Sequence, residues 1–113
     1  MKINCNCQEN TNEIVIEADY GIDPIWCKNC GTNLDIDELP LTQSLKREVE
    51  QWVVDYGNWI DWETDKLIVN GEQLEKKYNE IGKKLTKKVK EELKEFSVVY
   101  KPSDTAGLYK NIK

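Results

Sequence analysis

Residues 74–96 read LEKKYNEIGKKLTKKVKEELKEF, and their apolar positions Leu74, Tyr78, Ile81, Leu85, Val89, Leu93 and Phe96 recur every three or four residues. That is the period of a helix burying one stripe. It predicts a long amphipathic helix near residues 71–95 that tolerates Gly82. Asn70-Gly71-Glu72-Gln73 supplies a start, an N-cap residue with a glutamine three positions on, as in a capping-box variant. Beyond the helix, Phe96-Ser97-Val98-Val99-Tyr100 is β-branched and aromatic and reads as a strand, which Pro102-Ser103-Asp104 ends. Thr105 to Lys113 reads as a loosely held tail.

Upstream the pattern repeats. Leu45, Val49, Trp52, Val53 and Tyr56 fall on one helical stripe, with Thr42 or Ser44 as cap and Gly57-Asn58 as stop. Trp59-Ile60-Asp61-Trp62-Glu63-Thr64-Asp65 reads as a tryptophan-rich acidic connector between the two helices. Nearer the N-terminus, Glu13-Ile14-Val15-Ile16-Glu17-Ala18 suits a short strand. Tyr20-Gly21-Ile22-Asp23-Pro24 carries turn chemistry, and Ile25-Trp26 reads as the strand returning from it. Short strands at both ends and two helices between them predict one α+β domain over residues 1–113.

All four cysteines precede the first helix, as Cys5-Asn6-Cys7 and Cys27-Lys28-Asn29-Cys30-Gly31, and the chain has no histidine. Two close pairs separated by roughly 15–20 residues form the pattern of a two-knuckle zinc site. Zinc takes four thiolates in a tetrahedron, and a set with no open position is structural rather than catalytic. Gly31 suits the turn that closes the second knuckle. In an extended segment Cys5 and Cys7 project to the same side and reach one ion. Lys2 and Lys28 are the local cations that offset the negative charge of four thiolates. Three other readings stand beside zinc: four unliganded thiols in a small core, a redox pair, and a rubredoxin-like iron site, since the same thiolates accept iron. Cys27-Lys28-Asn29-Cys30 lacks the βαβ setting of a thioredoxin-like motif.

The segment Cys27-Lys28-Asn29-Cys30-Gly31-Thr32-Asn33-Leu34 resembles the second knuckle of zinc ribbons, commonly CxxCGxxL. Cys5-Asn6-Cys7 departs from the usual first knuckle by one residue. Limited to residues 5–34, the resemblance implies one structural Zn2+ held by Cys5, Cys7, Cys27 and Cys30, in a ribbon over residues 5–36. It implies no partner. The whole then reads as a small zinc-ribbon part, a helix–helix–strand part over residues 42–100 and a tail over 101–113.

Charge is unevenly placed. The net charge is −5, with a pI near 4.8. Residues 1–65 carry four Lys/Arg against fourteen Asp/Glu, a net of −10. Residues 66–113 carry twelve Lys against seven Asp/Glu, a net of +5. An acidic protein lacks the basic footprint of sequence-independent DNA binding. No signal-peptide run or bilayer-length apolar stretch is present, so a cytoplasmic setting with reduced thiols and no membrane is expected.

Catalysis is not expected. There is no histidine base, no phosphate-cradling glycine loop and no nucleophile elbow. Two surfaces stand out instead. Trp59 and Trp62, among Asp61, Glu63 and Asp65, form a candidate exposed anchor for a basic protein partner, because tryptophan is enriched at interface hot spots and an acidic rim steers cations. Packing of Trp52, Tyr56 and Trp59 between the helices is the competing use of those rings. The lysines of the second helix, Lys83, Lys84, Lys87, Lys88 and Lys90, form a candidate strip for nucleic-acid phosphates or an ordinary solvated face. The expected function is a non-enzymatic, zinc-stabilised protein-binding module, of adaptor, inhibitor or immunity type. A nucleic-acid-associated protein is the alternative.

Overall fold

The computed structural model describes residues 12–19 and 22–106. The Cys5–Cys7 knuckle, Tyr20-Gly21 and residues 107–113 of the expected tail lie outside them. The elements run β1 (Glu13–Ile16), β2 (Ile25–Cys27), a short 3-10 turn (Ile36–Glu38), α1 (Gln43–Val54), β3 (Ile60–Asp61), β4 (Lys66–Leu67), α2 (Gly71–Glu92) and β5 (Ser97–Tyr100).

The first strand is the middle of the main sheet, whose order is β2-β1-β5. β2 returns antiparallel to β1, with Ile14 opposite Cys27 and Ile16 opposite Ile25. β5 joins β1 in parallel, pairing Ile14 with Val98 and Ile16 with Tyr100. Alternation follows from the pleat. Ile14, Ile16 and Val98 are buried while Ser97 and Val99 face outward. Each such aliphatic side chain removed from water stabilises the fold by roughly 1.5–3 kcal/mol. The outer edge of β2 is covered by its own continuation. The Cys27 amide donates to the Thr32 carbonyl at 2.9 Å, and the Leu34 amide to the Ile25 carbonyl at 2.8 Å.

α2 packs against β5 and α1 packs against α2, and the buried apolar residues of sheet and helices form one cluster. Thr42 caps α1, its hydroxyl oxygen accepting from the Leu45 amide at 3.3 Å. The Glu92 carboxylate at the end of α2 accepts from the Thr42 amide at 2.6 Å and from its hydroxyl at 2.9 Å. An anion is thereby placed where the α1 dipole is positive. The helices run antiparallel, with Trp52 stacked on Tyr78 at 4.6 Å between ring centroids. The Trp52 indole N–H donates to the Tyr78 carbonyl at 3.1 Å.

Three expectations are corrected. Asn70 is not a side-chain cap: it sits in the left-handed region (φ 68) and makes no capping bond. The connector between the helices is a hairpin, with Ile60 paired to Leu67 and Asp61 to Lys66. The buried side of α2 keeps only part of the apolar stripe: Tyr78, Leu85 and Val89 are buried together with Glu75, Gly82 and Thr86, whereas Leu74 and Ile81 are 37% and 40% exposed. Gly82 leaves room there for Tyr100, whose hydroxyl and ring a Cβ at that position would meet at 2.5–2.7 Å.

The described start of the expected tail is held firmly. Glu75 is 9% exposed. Its Oε2 accepts from the Ser103 hydroxyl at 2.8 Å, the Ala106 amide at 3.0 Å and the Thr105 hydroxyl at 3.2 Å. Asn79 grips the same segment, its Oδ1 accepting from the Tyr100 hydroxyl at 2.7 Å and the Ser103 amide at 2.8 Å. The buried carboxylate is thus satisfied by three donors, which is what keeps its burial from being costly.

Candidate partner-binding surface

The hairpin is short and acidic. Asp61 Oδ1 accepts from the Glu63 amide at 2.9 Å and fixes the turn. Asp65 completes it with φ 54, a left-handed conformation that aspartate tolerates better than most residues. Trp62 stands in this turn at 50% exposure. The carboxylates of Glu63 and Asp65 are exposed beside it, and Asp61 is half-buried.

Trp59 does not join them. It is 1% exposed, and its indole N–H donates to the Thr105 hydroxyl at 3.0 Å. Its ring lies 5.1 Å from Tyr78 and 5.7 Å from Tyr56. The expectation of Trp59 as an exposed anchor is therefore corrected: the residue ties the hairpin to the core. Of the two tryptophans, Trp62 carries the exposed apolar surface.

The hydroxyls behind this region stay protonated. Burial, and then the Glu75 carboxylate, hold the Tyr100 pKa well above its ordinary 10.0. Burial likewise raises that of Tyr56, with hydrogen bonding from Ser103 and Thr105 acting against it.

Next to the foot of the hairpin an open groove runs between α1 and α2. It consists of a cavity of about 550 Å³ and one of about 280 Å³, which share Asp55, Tyr78 and Ile81. α2 supplies an apolar wall of Leu74, Ile81 and Leu85, and α1 a polar one of Glu48, Gln51 and Asp55. Sequence reasoning missed this groove because Leu74 and Ile81 carry the periodicity of core residues.

The second cysteine pair forms a tight turn. The Gly31 amide donates to the Cys27 carbonyl at 2.9 Å, and Gly31 takes φ 75, which glycine adopts without strain. Cys27 is buried; Cys30 is exposed, with its thiol donating to the Thr32 hydroxyl at 3.2 Å. Among the described residues, no group of three or more His, Cys, Asp or Glu could hold a metal ion. The other two expected ligands, Cys5 and Cys7, lie outside those residues.

Lys83, Lys84, Lys87, Lys88 and Lys90 are all exposed on α2. Lys88 is engaged by Glu48 at 3.0 Å. No described helix is long and apolar enough to cross a membrane.

A family model described as Serratia CdiI immunity protein-like matches residues 12–103. The match spans every element from β1 to β5 and includes Cys27 and Cys30 but neither Cys5 nor Cys7. No curated protein matches the chain.

Proposed function

The chain belongs to the Serratia CdiI immunity protein-like family, and from that premise we propose that it is a non-enzymatic immunity protein that neutralises a toxin protein by binding it. The binding surface centres on the β3–β4 hairpin. The observation that carries this is Trp62, half exposed in a turn with the carboxylates of Asp61, Glu63 and Asp65 around it. An exposed ring supplies apolar contact at low entropic cost, and the acidic rim steers a basic partner. The partner is accordingly a basic toxin domain met in the cytoplasm.

Co-expression of the chain with its paired toxin domain tests this. Wild type protects growth, while Trp62→Ala and the double variant Asp61→Lys/Glu63→Lys lose protection yet remain folded by circular dichroism. Full protection by both variants would move the interface away from the hairpin.

One structural zinc, bound by Cys5, Cys7, Cys27 and Cys30, is part of the same proposal. It is supported by the cysteine spacing and by the glycine-closed turn at Cys27–Gly31. Zinc would staple the segment before β1 to the turn after β2 and carry no chemistry. Metal analysis should find one zinc per chain, and chelation should lower the melting temperature, because binding and folding are coupled. An unchanged melting curve after complete metal removal would falsify the structural role.

A further inference from the structure

We infer that Thr105 is a positioning residue for the partner-binding hairpin: its hydroxyl, held by Glu75 of α2, fixes the orientation of Trp59 and through it that of the turn carrying Trp62. The inference rests on the immunity reading above and adds what sets the pose of its binding surface. The hairpin has little of its own to set that pose. β3 and β4 are two residues each, paired at Ile60–Leu67 and Asp61–Lys66, and an isolated two-stranded hairpin is marginally stable at best. Its pose therefore depends on its base. There Trp59 and Ile60 are 1% and 4% exposed, and the Ile68 amide donates to the Trp59 carbonyl at 2.9 Å.

Apolar and polar contacts act differently on Trp59. The Tyr56 and Tyr78 rings pack against it at 5.7 and 5.1 Å between centroids, and apolar burial has no preferred direction. The hydrogen bond has one: the indole N–H donates to the Thr105 hydroxyl at 3.0 Å. An indole only donates, and a hydroxyl has one proton to give. Thr105 directs its proton to Glu75 Oε2 at 3.2 Å, the charged acceptor, which leaves its oxygen to accept from Trp59. Ser103 Oγ lies 3.3 Å from the same hydroxyl but is itself turned to Glu75, at 2.8 Å.

The support behind Thr105 is fixed independently of the hairpin. Glu75 Oε2 also accepts from the Ala106 amide at 3.0 Å. Asn79, one turn further along α2, clamps Ser103 from both sides: its Oδ1 accepts from the Ser103 amide at 2.8 Å and its Nδ2 donates to the Ser103 carbonyl at 3.0 Å. Residues 103–106 are thus strapped to α2, and Thr105 is where the hairpin is fastened to the strap.

The test is a double-mutant cycle. Trp59→Phe keeps a ring in the box and removes the N–H; Thr105→Val keeps the shape and removes the hydroxyl. Each should weaken toxin binding at least about tenfold, the scale of one buried donor or acceptor left unpaired. The double variant should bind no more weakly than the weaker single one, because both remove the same bond. Thr105→Ser restores the hydroxyl and should bind within about twofold of wild type. In the free chain, amide exchange at Glu63 and Ile68 should quicken about tenfold in Thr105→Val and stay at the wild-type rate in Thr105→Ser. Val98→Ala, in β5, should lower the melting temperature and leave toxin affinity unchanged.

Wild-type affinity and exchange in Thr105→Val, losses that multiply to about hundredfold in the double variant, no rescue by Thr105→Ser, or an equal loss in Val98→Ala each overturns the positioning role. Wild type and Trp62→Ala decide the immunity reading separately. If Trp62→Ala loses the toxin while Thr105→Val keeps it, that reading stands and the positioning role is wrong. If wild type does not bind the toxin, or Trp62→Ala binds as well as wild type, the hairpin is not the binding surface and the role of Thr105 falls with it.

Discussion

Trp59 and Trp62 are three residues apart at the start of one hairpin, yet Trp59 is 1% exposed and Trp62 50%. The first is boxed by Tyr56 and Tyr78 and bonded through its indole to Thr105. The second stands in a turn fixed by the Asp61–Glu63 bond beside it. One residue type thus takes two settings in the same element: packed into the core at its base and half exposed in its turn. The comparison teaches that composition marks a region as unusual while the neighbours decide its use. Thr105, Tyr56 and Tyr78 claim Trp59, whereas Trp62 keeps half of its surface exposed.

Removing the buried ring is the strongest way to break this contrast. Trp59→Ala should cost about 3–5 kcal/mol in denaturant unfolding, the range for emptying a large aromatic site. A loss below about 1 kcal/mol would mean that the box around Trp59 collapses easily or is not formed. Glu75→Ala comes next, at about 2–4 kcal/mol, because it strands the Ser103, Thr105 and Ala106 donors. Glu75→Gln should recover part of that, and amide exchange at Ala106 should report the loss locally.

Tyr100 yields a smaller, pH-dependent effect. Its folded pKa is raised, so the folded chain holds that proton more tightly than the unfolded one. The contribution is fully present below the ordinary value of 10.0 and is lost as pH rises past it. Unfolding midpoints should therefore fall more steeply above pH 10.0 in wild type than in Tyr100→Phe; parallel curves would count against it. The smallest stability effect belongs to Trp62→Ala, within about 0.5 kcal/mol, as for other exposed sites. Toxin affinity should nevertheless drop by at least about tenfold. A variant that melts early but binds normally would invert the roles of the two rings.

Regular elements with a strong local period were legible in the sequence. β1, β2, α1, α2 and β5 fall where alternation or helical spacing puts them, because most of their buried positions are apolar. The β3–β4 hairpin was not, since two-residue strands show no alternation and Trp62–Asp65 lacks the usual Asn-Gly or Gly-X turn pair. The polar part of the buried side of α2 was hidden for a related reason. Glu75 and Gly82 look like surface residues until Ser103, Ala106 and the Tyr100 ring, distant in sequence, are packed against them. The candidate surface was half legible. The acidic tryptophan segment is conspicuous in the chain, but which tryptophan is exposed depends on Thr105, 46 residues beyond Trp59.

The parallel pairing of β1 with β5 has a consequence for synthesis. The central strand acquires its second neighbour from residues 97–100, more than 80 positions downstream. Contacts so distant along the chain make folding slow and late, and domains form as units while the ribosome works toward their ends. A nascent chain stopped before β5 leaves Ile14 and Ile16 beside an open edge, and Tyr100 absent from its place over Gly82. The sheet is therefore completed only once residues 97–100 have emerged, and the delay is written into the order of the strands.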